Sequence, residues 1–551
     1  MEIISTRGIC FSYPEEKQRA LNDLTFSVEK GEFIVLCGSS GSGKSTLLRL
    51  LKMDIAPHGE TEGEMIYKSQ PMSNHTPLIR AKEIGMVFQN PDNQIVMDTV
   101  MDELLFGLEN MGFTTGEMRK KVAEMVHFFD LGDLLTKKTD ELSGGQKQLI
   151  NLASVLLLDP DILLLDEPTG QLDPIAAKEF ISTLARLNDE FGITVIIAEH
   201  RLEELFSVAD KVMVLDQGNL VHFGETKKIV GKLANDTLLK SYLPNAARLY
   251  LTYSNHINEE EIPLSVKEAK QWLEQKTILE SDFQTENIEK EKNNILELKE
   301  IDYQYDPYSP LVLNNLSVSF RAGEIHAILG ANGTGKSTLL KVMNGILKSQ
   351  HGSMKVDGKK QKKMDPRVMG YLPQNPELFF LQDSLWKEYM MITKAFEVPH
   401  AEEHITQLLQ KFNLEPFKHR HPYDLSGGQL QKAALIGTLL LNPRILLIDE
   451  PTKGLDPDSK VQLEQLLRKL AEVEGMTIIM VTHDVEFASV TANRCSMIFQ
   501  GQITITENTR DFFQGNMYYT TVMNRITRKL PIPQVITIKE AQKKWLVQNK
   551  S

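Results

Sequence analysis

Short apolar blocks recur along this chain, each ending at a glycine or an acid. Residues 32–38 (EFIVLCG) and 324–330 (EIHAILG) read as buried strands that enter glycine-rich loops. The segments that follow, 44–52 (KSTLLRLLK) and 336–344 (KSTLLKVMN), read as helices. Residues 161–167 (DILLLDE) and 444–450 (RILLIDE) are apolar between their flanking charged residues, as expected of central parallel strands covered on both faces. Residues 194–200 (TVIIAEH) and 477–483 (TIIMVTH) are strands again. Alternating β and α segments predict an α/β fold around a mainly parallel sheet, present twice. No apolar run approaches the ~20 residues of a membrane-spanning helix.

The pattern repeats because the sequence repeats. GSSGSGKST at 38–46 returns as GANGTGKST at 330–338, LSGGQ at 142–146 returns at 425–429, and DILLLDEPT at 161–169 returns as RILLIDEPT at 444–452. The offset is 292 residues at the first motif and 283 at the others, so nine residues are missing from the second half. A further echo joins IPLSVKEAKQWL at 262–273 to IPQVITIKEAQKKWL at 532–546. The expected organisation is therefore a nucleotide-binding core at 1–225 with a tail at 226–273, a polar linker at 274–293, a second core at 294–510 and its tail at 511–551.

Composition narrows the function. With 551 residues, 41% hydrophobic and 25% charged, the chain is ordinary globular protein and too long for one core. A net charge of −13 disfavours general nucleic-acid binding. Cys10, Cys37 and Cys495 are scattered, which fits a reducing compartment and disfavours zinc or disulfide frameworks. The N-terminus lacks the basic start and apolar stretch of a signal peptide.

GxxxxGK[ST] is a phosphate-binding loop. Its glycines let backbone N–H groups turn toward phosphate at the positive end of the next helix. The first copy comprises Gly38, Ser39, Ser40, Gly41, Ser42, Gly43, Lys44, Ser45 and Thr46. The second comprises Gly330, Ala331, Asn332, Gly333, Thr334, Gly335, Lys336, Ser337 and Thr338. Lys44 and Lys336 are expected at the β- and γ-phosphates, and Ser45 and Ser337 at Mg2+. A metal site also needs a carboxylate at the end of a neighbouring strand, a place that Asp166 and Asp449 fit. Glu167 and Glu450 come next and are expected to polarise the attacking water. Strand alternation would send these acids to opposite faces, so the strand end must break that alternation.

With LSGGQ added, nearly the whole chain resembles the ATP-binding cassette (ABC) superfamily. The resemblance implies that the LSGGQ of one cassette closes over the ATP of the other. Ser143, Gly144 and Gly145 would serve the ATP at Lys336, and Ser426, Gly427 and Gly428 that at Lys44. It also identifies Gln89 and Gln374 with the glutamine that helps bind Mg2+ or water and senses the transporter. His200 and His483, each 33 residues after the Glu, match the histidine that contacts the γ-phosphate. Asp173 and Asp456 match the loop linking the two sites, and Tyr13 and Tyr305 the aromatic that stacks on adenine. Neither half has lost its Glu, His or LSGGQ, so two hydrolytic sites are expected, with ATP and Mg2+ as cofactors.

Three jobs are compatible with this core. The segment at 90–113, NPDNQIVMDTVMDELLFGLENMGF, resembles the ATPase of energy-coupling-factor (ECF) importers. That resemblance implies docking, at the cytoplasmic face of the membrane, onto a transmembrane T component that works with a substrate-binding S component. Its cargo would be a vitamin or related solute, with thiamine or its pyrimidine precursor most similar in arrangement. Asp92, Gln94, Asp98, Asp102 and Glu103 are the candidate docking residues. The second half departs from the pattern, with Phe380 and Leu381 in place of a polar pair. The alternative is a soluble tandem ABC-F-type ATPase of ribosomes, but residues 256–300 carry 12 acids against 6 Lys where that family usually has a basic linker. A fused sugar-importer ATPase is the third, although those usually show one degenerate site.

Overall fold

The apolar runs are strands, and their order in the sheet puts the chemistry-bearing loops along one edge. The computed structural model describes all residues except 15, 17, 235, 237, 238, 255, 281–292, 362, 363, 550 and 551. It divides into two compact units, Met1–Ser265 and Val266–Ser551.

In the first unit a six-stranded sheet runs in the order Asn219–Glu225, Lys211–Asp216, Phe33–Gly38, Thr194–Ala198, Ile162–Asp166 and Ile84–Val87. All neighbours pair in parallel except Asn219–Glu225 against Lys211–Asp216. Every residue of Phe33–Gly38, Ile162–Asp166 and Thr194–Ala198 is buried, which is why these runs show no alternation. The strand carrying Asp166 is not next to the strand that feeds the phosphate loop, contrary to expectation. Thr194–Ala198, which leads to His200, lies between them. Because these strands are parallel, all three deliver their C-terminal ends to the same crevice.

A four-stranded antiparallel sheet, Leu21–Glu29, Glu2–Ser12, Glu60–Tyr67 and Gln70–Pro71, accompanies this core. Helices Val100–Asn110, Thr115–Phe129 and Gly144–Leu156 supply the helical part. The second unit repeats this plan, with a sheet order of Met369–Leu372, Ile445–Asp449, Thr477–Val481, Ile325–Leu329, Arg494–Phe499 and Gln502–Asn508.

The tails are small and helical, but their grouping differs from the expected boundaries. Helix Val266–Glu274, the end of the expected first tail at 226–273, groups with the second unit. There it packs against Val522–Thr527 and buries Ala269, Trp272 and Leu273. The expected linker at 274–293 opens with a strand, Lys276–Glu280, which pairs antiparallel with Trp545–Asn549. Residues 281–292 of that linker lie outside the described residues. All three cysteines are free and buried. Among the described residues, no helix is long and apolar enough to cross a membrane.

Candidate functional site

Each phosphate loop ends in a glycine that no other residue could replace without movement. Gly43 (φ 99°) and Gly335 (φ 98°) precede helices Lys44–Leu51 and Lys336–Asn344 in the left-handed region, with no side-chain cap. A Cβ on Gly43 would stand 2.5 Å from Leu21 Cδ2 and 2.7 Å from the Ala20 carbonyl oxygen. Uncapped N–H groups at a helix start, beside a positive dipole end, are what an anion requires. The loop braces itself with its own side chains: Ser39 Oγ donates to Asp216 at 3.1 Å, and Thr334 Oγ1 donates to Ala331 O at 2.9 Å. Lys44 Nζ donates to the carbonyls of Gly38 and Ser39 at 2.9 and 3.0 Å, and Lys336 matches it on Gly330 and Ala331 at 3.0 and 2.9 Å. Tyr13 and Tyr305 join the same loops, hydroxyl to hydroxyl, with Thr46 at 2.9 Å and Thr338 at 3.0 Å.

The acids follow. Ser45 Oγ donates to Asp166 Oδ1 at 2.8 Å, and Ser337 Oγ to Asp449 Oδ1 at 3.0 Å. Burial first, then the neighbouring Glu167 charge, pushes the Asp166 carboxyl up to about 6. Burial likewise raises Asp449. A hydroxyl beside one buried carboxylate offers hard oxygen donors, a set that fits Mg2+ held jointly with nucleotide phosphates. Among the described residues no cluster of three His, Cys, Asp or Glu side chains could hold a metal unaided.

Glu167 (φ 44°) and Glu450 (φ 50°) adopt left-handed backbone conformations. This is how two successive residues reach one site despite the alternation of a strand, and such strain in a non-glycine residue is often found at functional positions. Glu167 is clasped by the His200 ring at 2.9 Å and by Gln89 Nε2 at 2.7 Å. Glu450 is clasped by His483 through its ring at 2.8 Å and its backbone N–H at 3.3 Å. Burial pushes the Glu450 carboxyl up, but His483 and Lys336 together outweigh it and hold the group below its ordinary range. Among the described residues Gln374 makes no bond matching that of Gln89.

The LSGGQ segments are capping boxes. Ser143 accepts from the Gln146 N–H and Ser426 from the Gln429 N–H, and each glutamine side chain returns the bond. These caps fix the starts of Gly144–Leu156 and Gly427–Leu439. Asp173 and Asp456 cap the helices Pro174–Phe191 and Pro457–Glu472.

Of the expected docking residues, two serve the fold. Glu103, 5% exposed, accepts the backbone N–H groups of Val96 and Met97 at 2.9 and 2.8 Å. Gln94 accepts from Phe88 N and donates to Met86 O. Asp92 is exposed but pairs with Lys147 at 2.6 Å. Asp98 and Asp102 are exposed, as is the apolar Val96. Glu388 holds Leu381 and Gln382 as Glu103 holds Val96 and Met97. That match puts Phe379 opposite Gln94, one residue before the expected change at Phe380 and Leu381. Phe379 lies over Gly437, where a Cβ would meet its ring at 2.2 Å.

Two residues of this region escaped sequence reasoning: Tyr371, which bonds Asp449, and Glu199, which bonds the His200 backbone. The available signal was a mismatch between otherwise matching repeats, Met86 against Tyr371 and Glu199 against Thr482.

The "ABC transporter" family model matches residues 21–170 and 313–453. A Bacillus cereus protein provisionally named an ABC transporter ATP-binding protein is 43% identical over 535 residues, covering 96% of both chains. A Bacillus subtilis protein provisionally named an HMP/thiamine import ATP-binding protein is 30% identical, covering 89% of this chain and 88% of its own. Among solved structures, an archaeal ribosome recycling factor superposes with a TM-score of 0.59 at 20% identity, over 92% of this chain and 91% of that one, a likeness of fold alone. The chain belongs to the ABC transporter ATP-binding family, and it is an ATPase with two cassettes in tandem.

Proposed function

We propose that this chain is the ATPase subunit of an ECF-type importer, working at the cytoplasmic membrane face with a T and an S component. The observation that carries this reading is Gln89. Its amide holds Glu167 at 2.7 Å, and it heads the segment on which Val96, Asp98 and Asp102 face solvent. A membrane partner docked there would move the group that restrains Glu167. Exposed acids beside an apolar residue suit a basic, partly apolar coupling helix. The B. subtilis relative supports a cargo of thiamine or its pyrimidine precursor.

In the proposed reaction, water attacks the γ-phosphate in line, and catalysis is mainly positioning and electrostatics. Lys44 and Lys336 neutralise phosphate charge. Glu167 and Glu450 accept a hydrogen bond from the water, and His200 and His483 orient each Glu and meet the γ-phosphate. Ser143 to Gly145 and Ser426 to Gly428 would contribute N–H groups to nucleotide. Mg2+ would be held by Ser45, Asp166 and Gln89, and by Ser337, Asp449 and Gln374, and would supply positive charge to the phosphates.

The test is purification from a mild-detergent lysate with identification of what accompanies the chain. Two small multi-span membrane proteins are expected. Ribosomal proteins without membrane partners would overturn the importer in favour of a ribosome-associated ATPase.

A further inference from the structure

Both cassettes place their histidine just after a buried strand, but the residues on either side of it differ. Glu199 stands in the first where Thr482 stands in the second. Glu199 is 2% exposed, and its carboxylate meets four donors. Oε1 accepts from Thr169 N at 2.8 Å and Thr169 Oγ1 at 2.5 Å. Oε2 accepts from His200 N at 2.9 Å and Arg201 N at 3.4 Å. Arg201 Nη1 adds a second tie, to Leu172 O at 3.0 Å. Segment 199–201 is thus bound by two side chains to segment 169–172, which lies between Glu167 and Asp173.

The second cassette is wired differently. The Thr482 hydroxyl accepts from Asp484 N at 3.0 Å, Asp484 caps helix Val485–Thr491, and Lys460 pairs with Asp484 at 2.7 Å. Its histidine N–H goes directly to Glu450 at 3.3 Å, where the His200 N–H goes to Glu199, and its segment is tied to the helix that follows it and to Lys460. A carboxylate can accept four hydrogen bonds at once, which a threonine hydroxyl cannot. Buried charge-assisted bonds also hold geometry more firmly than neutral ones.

We infer that Glu199 is a positioning residue that fixes His200 against Glu167, so that hydrolysis at the first site depends on a brace for which the second site, among the described residues, has the His483 N–H bond to Glu450 instead. This rests on the reading that Glu167 and His200 act on the nucleotide at Lys44. Glu199 touches no reacting atom; it acts through the His200 backbone.

The test uses the full chain with photoreactive 8-azido-ATP, with and without vanadate trapping. Label is mapped by mass spectrometry to residues 1–265 or 266–551. For Glu199→Ala, trapped label in the first half should fall about tenfold relative to the second. Untrapped label, which reports binding, should keep its ratio within about twofold. Glu199→Gln, which retains one acceptor oxygen, should show an intermediate loss, and it carries the test if the alanine variant fails to fold. An unchanged trapped ratio overturns the assignment, as does an equal fall in untrapped label. His200→Ala separates the two readings: if it leaves first-half trapping intact, the reading of the site fails rather than the brace.

Discussion

The Tyr371 hydroxyl donates to Asp449 Oδ2 at 3.3 Å, on the carboxylate whose other oxygen accepts from Ser337. Met86 occupies the equivalent position in the first cassette. The second site therefore fixes both oxygens of its metal-candidate carboxylate, and the first fixes one among the described residues. Removing the hydroxyl frees a rotation of Asp449. Tyr371→Phe should weaken Mn2+ binding in the presence of ATP by about three- to tenfold at one of two sites, the scale of a single lost hydrogen bond. Electron paramagnetic resonance titration of Mn2+ measures this directly. Two unchanged binding phases would remove Tyr371 from the metal site.

Asp166 makes a pH prediction. Its carboxyl sits at about 6 in the fold against an ordinary 3.8. Between those values the folded state holds a proton that the unfolded chain has released, so stability falls as pH rises through the window. The loss is on the order of 2 to 3 kcal/mol by pH 7, of which about 1 falls between pH 5 and 7. Asp166→Asn should therefore raise the unfolding midpoint of the nucleotide-free protein, and by more at pH 7 than at pH 5. A gain that is equal at both pH values would mean that Asp166 is not the titrating group.

Much of this site was legible because buried strands announce themselves. Runs such as 162–165 have no polar position to disguise them, and each points at the loop that carries its acid. Sheet order was less legible, since periodicity says nothing about which parallel strands touch. Strand Lys276–Glu280 was missed because its partner, Trp545–Asn549, lies at the far end of the sequence, and an isolated polar strand has no local signature. Glu103 and Gln94 read as solvent-facing acid and amide because a chain of letters does not show backbone donors. Glu103 accepts the backbone N–H groups of Val96 and Met97, and Gln94 bonds the backbone of Phe88 and Met86.

That distinction separates fold from docking. Both N–H groups use one Glu103 oxygen, Oε2, so Glu103→Ala removes the acceptor of two backbone donors at a cost of about 1–3 kcal/mol. At about 2–4 °C per kcal/mol, the unfolding midpoint should drop by roughly 2–12 °C. Val96→Asp, at a residue 65% exposed, should leave that midpoint within the range of surface changes. It should nevertheless reduce sedimentation with membranes. If Val96→Asp vesicles retain the ATPase as the parent does, the 90–110 segment is not the docking surface.

Gly43 offers a count rather than a rate. Alanine there must adopt φ 99°, costing about 1–2 kcal/mol, and must also displace Leu21 or the Ala20 carbonyl, which lie within 2.7 Å of its Cβ. Gly112 is the control, because it too has positive φ, 76°, but a Cβ would meet nothing within 4 Å. Gly112→Ala therefore carries the backbone strain without the collision, and it lies outside the phosphate loop. Isothermal titration of ATP should give two equivalents for the parent and for Gly112→Ala, and one for Gly43→Ala. Gly335→Ala, whose Cβ would approach the Val312 carbonyl oxygen at 2.8 Å, should remove the other. Two equivalents bound by Gly43→Ala would mean that the loop yields to the collision. The helix start at Lys44 would then not need the left-handed glycine that both repeats keep.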